Sequence, residues 1–300
     1  MHARSPLALA GLTCLALGWA APVLAACEGY VPQPKPQNAS RDIVGQDLDT
    51  IQARGFVTFA AYENFPPWSY AEGDTPAGVD IEIGRLIAEA LGVEPRFTLV
   101  AAGETVEADL RHWIWQGPPT GGDVVNVMLH VPYDVNFACR VDQVVFTGQY
   151  AQESIAIAFN RADYPDDPPV PAYFRFDTVG VENDTIADFY LAGIGGGMLI
   201  PKMQHYPTVA LAMEAMAQGE VMAVMGPRAQ LQAGLTEAGD LHQPPLPGLA
   251  VGTWTLGLAV HTRYRYLGYA VDDAIRAALD DGRIAAIFAD HGLTFDAPPR

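Results

Sequence analysis

Apolar residues recur along this chain in two rhythms. One is the three-to-four spacing of a helix. Ile83, Leu86, Ile87, Ala90 and Leu91 show it best, with Asp80 placed to cap the start and Gly92 to end it. Leu110, Trp113 and Ile114 repeat it within 109–116, and Val209, Met213, Met216 and Ala217 do so ahead of Gly219. The turn at Asn183, Asp184 and Thr185 predicts a helix running to Phe189, and two helical stripes close the chain. One holds Leu267, Val271, Ile275 and Leu279; the other holds Ile284, Ile287 and Phe288. The second rhythm is the short apolar run of a strand, at 56–61, 96–100, 123–128, 154–159, 178–181, 221–225 and 255–260. Strands and helices in alternation predict an α/β protein built on open central sheets flanked by helices.

The intervening loops add detail. Loop 62–70 is crowded with aromatics (Tyr62, Phe65, Trp68 and Tyr70) around Pro66 and Pro67, which suits stacking on a ligand at the mouth of a sheet. A Pro/Asp cluster at 161–171 reads as a passage between lobes, and Pro32, Pro34 and Pro36 mark an arm over 27–42. Before the arm, a weakly basic start, an apolar stretch over 7–21 and small residues at 23–26 read as an export signal spanning 1–26. A periplasmic location follows. The formal net charge of −18 becomes −19 once Arg4 leaves with the signal. That acidity disfavours nucleic acid and anionic membranes, and fits either a basic protein partner or a solvated surface. The remaining ~270 residues suggest two lobes.

Cys14 departs with the signal, leaving Cys27 and Cys139. In an oxidising compartment they can form a disulfide that ties the arm to the body. The run Leu24-Ala25-Ala26-Cys27 also has the form of a lipoprotein cleavage box, so lipid on Cys27 is the competing expectation.

Reactive chemistry is poorly represented. His130 and Cys139 lie outside any nucleophile signature, and no His/Cys/Asp cluster has zinc spacing. The methionines at 198, 203, 213, 216, 222 and 225 read as core and loop residues. Gly193 to Gly197 lacks the context of a dinucleotide fingerprint. Neither a catalytic residue, a metal nor a cofactor is expected.

Five segments in order resemble the bacterial periplasmic solute-binding proteins of family 3. FVTFAAYENFPPWSY resembles the family's first strand and aromatic loop, and GVDIEIGRLIAEALGV its first helix. RVDQVVFTGQY is similar to the segment placing an arginine six residues before an aromatic and ten before a tyrosine. VALAMEAMAQGEVMAVMG resembles a second-lobe helix and strand, and AVDDAIRAALDDGRIAAIFADHGL the final helices. The resemblance implies two hinged α/β lobes, one of 43–151 plus 253–300 and the other of 152–252, closing on a ligand.

It also implies site residues. Tyr62 and Trp68 match the rings that flank a ligand, although Trp68 also suits a core or hinge position. Arg140 matches the arginine that grips a carboxylate, or else a surface ion pair. Thr185 matches a hydroxyl at a helix start that holds an anion, or a plain cap. Asn126 joins this set. Pro227 stands where amino-acid receptors carry the aspartate that pairs with an ammonium group, so common amino acids are poor ligands unless Glu63 or Asp134 substitutes. The implied partner is an ABC permease. Gly226-Pro227 and DVVNVMLHVPYD are similar to a branch associated with methanol and other quinoprotein dehydrogenases. Under that reading the partner is the dehydrogenase or its cytochrome c. Periplasmic dehydratases share the fold and form a third, minor alternative.

Overall fold

The computed structural model describes residues 47–299. Eleven strands and nine α-helices occur among them, in the alternating order that the apolar rhythms predict. Nine strands form one continuous mixed sheet, because a single strand belongs to both of its halves. That strand, β6 (Val144–Asn160), is 17 residues long. It contains the expected run at 154–159 but starts ten residues earlier.

In the first half, β1 (Phe56–Tyr62) pairs in parallel with β4 (Glu94–Val100) and with β5 (Val127–Tyr133). Then β11 (Thr253–His261) runs antiparallel between β5 and β6. In the second half β6 pairs antiparallel with β9 (Ala223–Pro227) and β10 (Gly239–His242). There β7 (Val179–Glu182) lies parallel to β9 and to β8 (Met203–Tyr206). The ladder of β6 with β11 reaches Ser154, and its ladder with β9 begins at Ile155. The small hairpin of β2 (Tyr70–Glu72) and β3 (Thr75–Ala77) stands apart.

Each half keeps apolar cores of its own. Helices α2 (Val79–Leu91), α8 (Arg265–Asp280) and α9 (Arg283–Asp290) cover one face of the first half, burying Ile83, Ile87, Val271, Ile275 and Phe288. Val100, Leu110, Ile114 and Met128 fill a further core of that half. The second half packs Ile157, Val179, Leu191 and Met225 in one core, with Ala212, Met213, Met216 and Val224 in another. Each such side chain contributes roughly 1.5–3 kcal/mol when fully buried, so both halves are well anchored.

Three local expectations are corrected. The helix 109–116 is instead a short α3 (Val106–Leu110), capped by Thr105, that widens into a π-turn over Arg111–Trp115. The strand expected at 123–128 begins only at Val127. Asp80 does not cap α2. Gly78 occupies that position at φ 114°, and the first free amides of the helix donate to loop carbonyls instead, Val79 N–H to Pro67 O and Asp80 N–H to Trp68 O. This close approach requires glycine, since a Cβ at Gly78 would lie 2.4 Å from the Trp68 carbonyl oxygen.

Candidate functional site

Released from capping, the Asp80 side chain turns inward and is 1% exposed. Tyr150 OH donates to its Oδ1 at 2.7 Å, and His130 Nδ1 lies 3.0 Å from its Oδ2. His130 sits at φ 56° in β5, a left-handed kink that turns its ring between Trp68 (4.7 Å between centroids) and Phe65 (5.0 Å). Burial, and then the Asp80 carboxylate, pushes the Tyr150 phenol well above its ordinary range. The three groups satisfy one another, forming a polar brace under the loop 62–70.

Three residues further along β6, where the strand passes from one half to the other, stands Glu153. It is 2% exposed and accepts from its neighbour Ser154 N–H (2.8 Å) and from Ala229 N–H (3.3 Å). Burial raises its pKa, opposed by those two backbone bonds and by Arg228 and His130. Arg228 opens α7 (Arg228–Ala233), directly after β9. Its guanidinium is buried, with Nη1 2.7 Å from Asp296 Oδ2, Nη2 donating to Thr294 O, and Nε without a partner in the structure. A carboxyl and a guanidinium thus lie buried at the seam between the halves.

The expected site residues fall in different places. Tyr62, at the end of β1, stays half-buried at the rim, its ring edge-on to Phe65 at 6.1 Å. Its hydroxyl donates to Asp109 Oδ2 at 2.8 Å, while Asp109 Oδ1 accepts from Gly103 N–H. Burial first, and then Asp109, drives the Tyr62 phenol far above its usual range, so it stays protonated and fixed.

Trp68 is corrected to a core residue. It is 1% exposed and packs on Phe288 (5.8 Å) as well as His130, because the turn through Pro66 and Pro67 swings it beneath the loop. Asn126 is also corrected. Its Oδ1 accepts from Thr58 N–H, Thr58 Oγ1 and Arg54 Nη2, at the starting end of β1 and β5, opposite to the end where Tyr62 sits.

Arg140 is exposed and is the last residue of α4 (Val135–Arg140), with its guanidinium 5.8 Å from the Phe137 ring. Five residues of helix separate it from the start of α4, carrying it ~7.5 Å along the axis from the end of β5. Thr185 caps α5 (Ile186–Gly193): its hydroxyl donates to Glu182 O and accepts from Asp188 N–H. The proton an anion would need is therefore engaged, and the neighbouring Asp188 carboxylate accepts from Asp184 N–H and lies 3.0 Å from His205 Nε2. Of the two acids able to replace the missing aspartate, Asp134 is committed to capping α4 through Phe137 N–H, whereas Glu63 is exposed beside Tyr62. Cys139 is disulfide-bonded; Cys27, its expected partner, lies outside the described residues, as do the signal and the arm.

Sequence reasoning missed Asp80 as part of the brace under the loop 62–70, and Glu153 and Arg228 as members of the seam. Two signals pointed there: Glu153 is the one acid within the long strand β6, and Arg228 follows Gly-Pro at the end of an apolar strand.

A cavity of about 570 Å³ lies between residues 145–149 of β6, α8 and Pro298–Pro299; every residue lining it belongs to the first half, so it is distinct from the seam. Among the described residues no group of three or more His, Cys, Asp or Glu is placed to hold a metal, and no helix is long and apolar enough to cross a membrane.

Neither a family model nor a curated protein matches this chain. Solved structures do. One is an ancestral cationic amino acid solute-binding protein, AncCDT-1, at 17% identity over 81% of this chain and 98% of that one, with a TM-score of 0.65. Another is an ABC uptake transporter substrate-binding protein from Streptococcus pneumoniae with bound histidine, at 14% identity, 85% and 99% coverage, and a TM-score of 0.61. A third is a histidine kinase sensor domain with similarity to periplasmic binding proteins, at 22% identity, 81% and 98% coverage, and a TM-score of 0.55. These likenesses establish the fold: a two-lobed periplasmic-binding-protein architecture.

Proposed function

We propose that this protein is a periplasmic receptor that captures a small polar or carboxylate-bearing solute between two lobes, without transforming it, and presents it to an ABC permease. The lobes are 43–151 with 253–300, and 152–252. The observation that carries this reading is the seam itself. A shared strand joins two separately cored halves, with Glu153 and Arg228 buried where they meet, and the half-exposed rings of Tyr62 and Phe65 lie at the end of β1 and in the loop after it. Rings supply contact area and the polar groups supply selection, the usual division of labour in a small-molecule cleft.

A plain α-amino acid fits this cleft poorly. Pro227 offers its ammonium group no charge. An ammonium left unpaired in a closed cleft costs on the order of 2–5 kcal/mol. Glu63 is the acid free to offset part of that loss. Thermal-shift measurements with organic acids, amino acids, sugars and alcohols test the reading. A ligand should raise the melting temperature and be recovered unchanged, and turnover of that compound would overturn the receptor role.

The same departures favour a second reading, in which the fold serves as a docking accessory of a periplasmic quinoprotein dehydrogenase or its cytochrome c. A net charge of −18 suits a basic partner. Salt-sensitive co-purification with such a dehydrogenase, and no response to any solute, would support this reading over the first.

A further inference from the structure

After a turn at His291 and Gly292 ends α9, residues 293–299 carry neither helix nor strand, and the side chains of 293–296 alternate between two tasks. Leu293 and Phe295 point into the first-lobe core, with Phe295 5.2 Å from the Phe288 ring. Thr294 and Asp296, the residues between and after them, reach helix α7 of the second lobe. Gln232 Nε2 donates to Thr294 Oγ1 at 2.8 Å, and Thr294 N–H donates back to Gln232 Oε1 at 3.2 Å. Arg228 spans Thr294 O and the Asp296 carboxylate. Arg228 and Gln232 lie four residues apart, on one face of α7. Asp296 is also tied to the shared strand, since Gln152 N–H donates to its carbonyl at 2.9 Å. Helix α7 straddles the seam, with Ala229 packed in a first-lobe core and Leu231 in a second-lobe core.

We propose that 293–296 is a latch between the lobes. It is nailed to the first lobe by Leu293 and Phe295 and grips α7 through Thr294 and Asp296, so it restrains the lobes against opening until these contacts are released. The chemistry suits the task. The Arg228 guanidinium is buried while the Asp296 carboxylate is half-exposed, so the pair is shielded from salt on one side and can be parted from the other. Loss of Asp296 would leave a buried cation short of a partner, which biases the two-state hinge towards opening.

The latch rests on the two-lobe receptor reading, but its test uses no ligand and so fails independently of solute binding. Amide exchange and small-angle scattering of the ligand-free full chain are compared for wild type, Asp296→Asn and Gln232→Ala. The latch predicts that the Gln152 amide, bonded to the Asp296 carbonyl across the seam, exchanges about tenfold faster in both variants. Amides of β1 and β5 should keep their wild-type rates, and the radius of gyration should rise. Unchanged seam exchange would overturn the latch. So would equal acceleration of seam and core amides, which marks general destabilisation.

Discussion

Glu153 is a carboxylate with almost no water around it, and its ionisation is a property of the folded state. The ordinary value is 4.5, and burial raises it in the native protein. Between 4.5 and that higher native value, the folded chain keeps a proton that the unfolded chain has lost. Stability from this group is therefore greatest at low pH and declines as pH rises through the window. Urea unfolding from pH 4 to 8 should show this decline in wild type relative to Glu153→Gln, which has nothing to ionise there. A wild-type curve that rises relative to the variant would contradict the burial argument. Trp68 makes a different prediction. Because its ring fills the core beside Phe288 and His130, Trp68→Ala should cost roughly 3–5 kcal/mol of stability, measured by chemical denaturation.

At the scale of elements, local signals carry far, and their limits have identifiable causes. The helix over Val79–Leu91 and its stop at Gly92 are legible because one apolar face faces one core. Its start is not, because the capping carbonyls come from Pro67 and Trp68, residues brought there by the loop. The same tertiary effect hides the role of Asp80. An acid in a first turn reads as a cap until partners distant in sequence, His130 and Tyr150, claim it. The π-turn after α3 has no periodic signature in five residues. The junction of loop and helix is testable. Gly78→Ala places a Cβ against the Trp68 carbonyl at a positive φ and should destabilise by more than about 1 kcal/mol, with exchange protection lost first at the start of α2.

For the whole molecule, two cored halves share the strand β6, with buried polar groups at the seam. The alternation of strands and helices makes that architecture legible in outline. The site was less so, since its buried charged members at the seam, Glu153 and Arg228, lie far apart in sequence and come together only when the seam forms. A receptor with such a seam should be stabilised by whatever it recognises, because ligand binds the folded chain and not the unfolded one. The most direct measurement is a thermal-unfolding screen of the purified protein against small polar solutes. The account predicts that one chemical class raises stability by ~2.7 kcal/mol at a hundred times its dissociation constant and is recovered chemically intact. An unchanged melting temperature across the entire screen, or conversion of the stabilising compound, would contradict it.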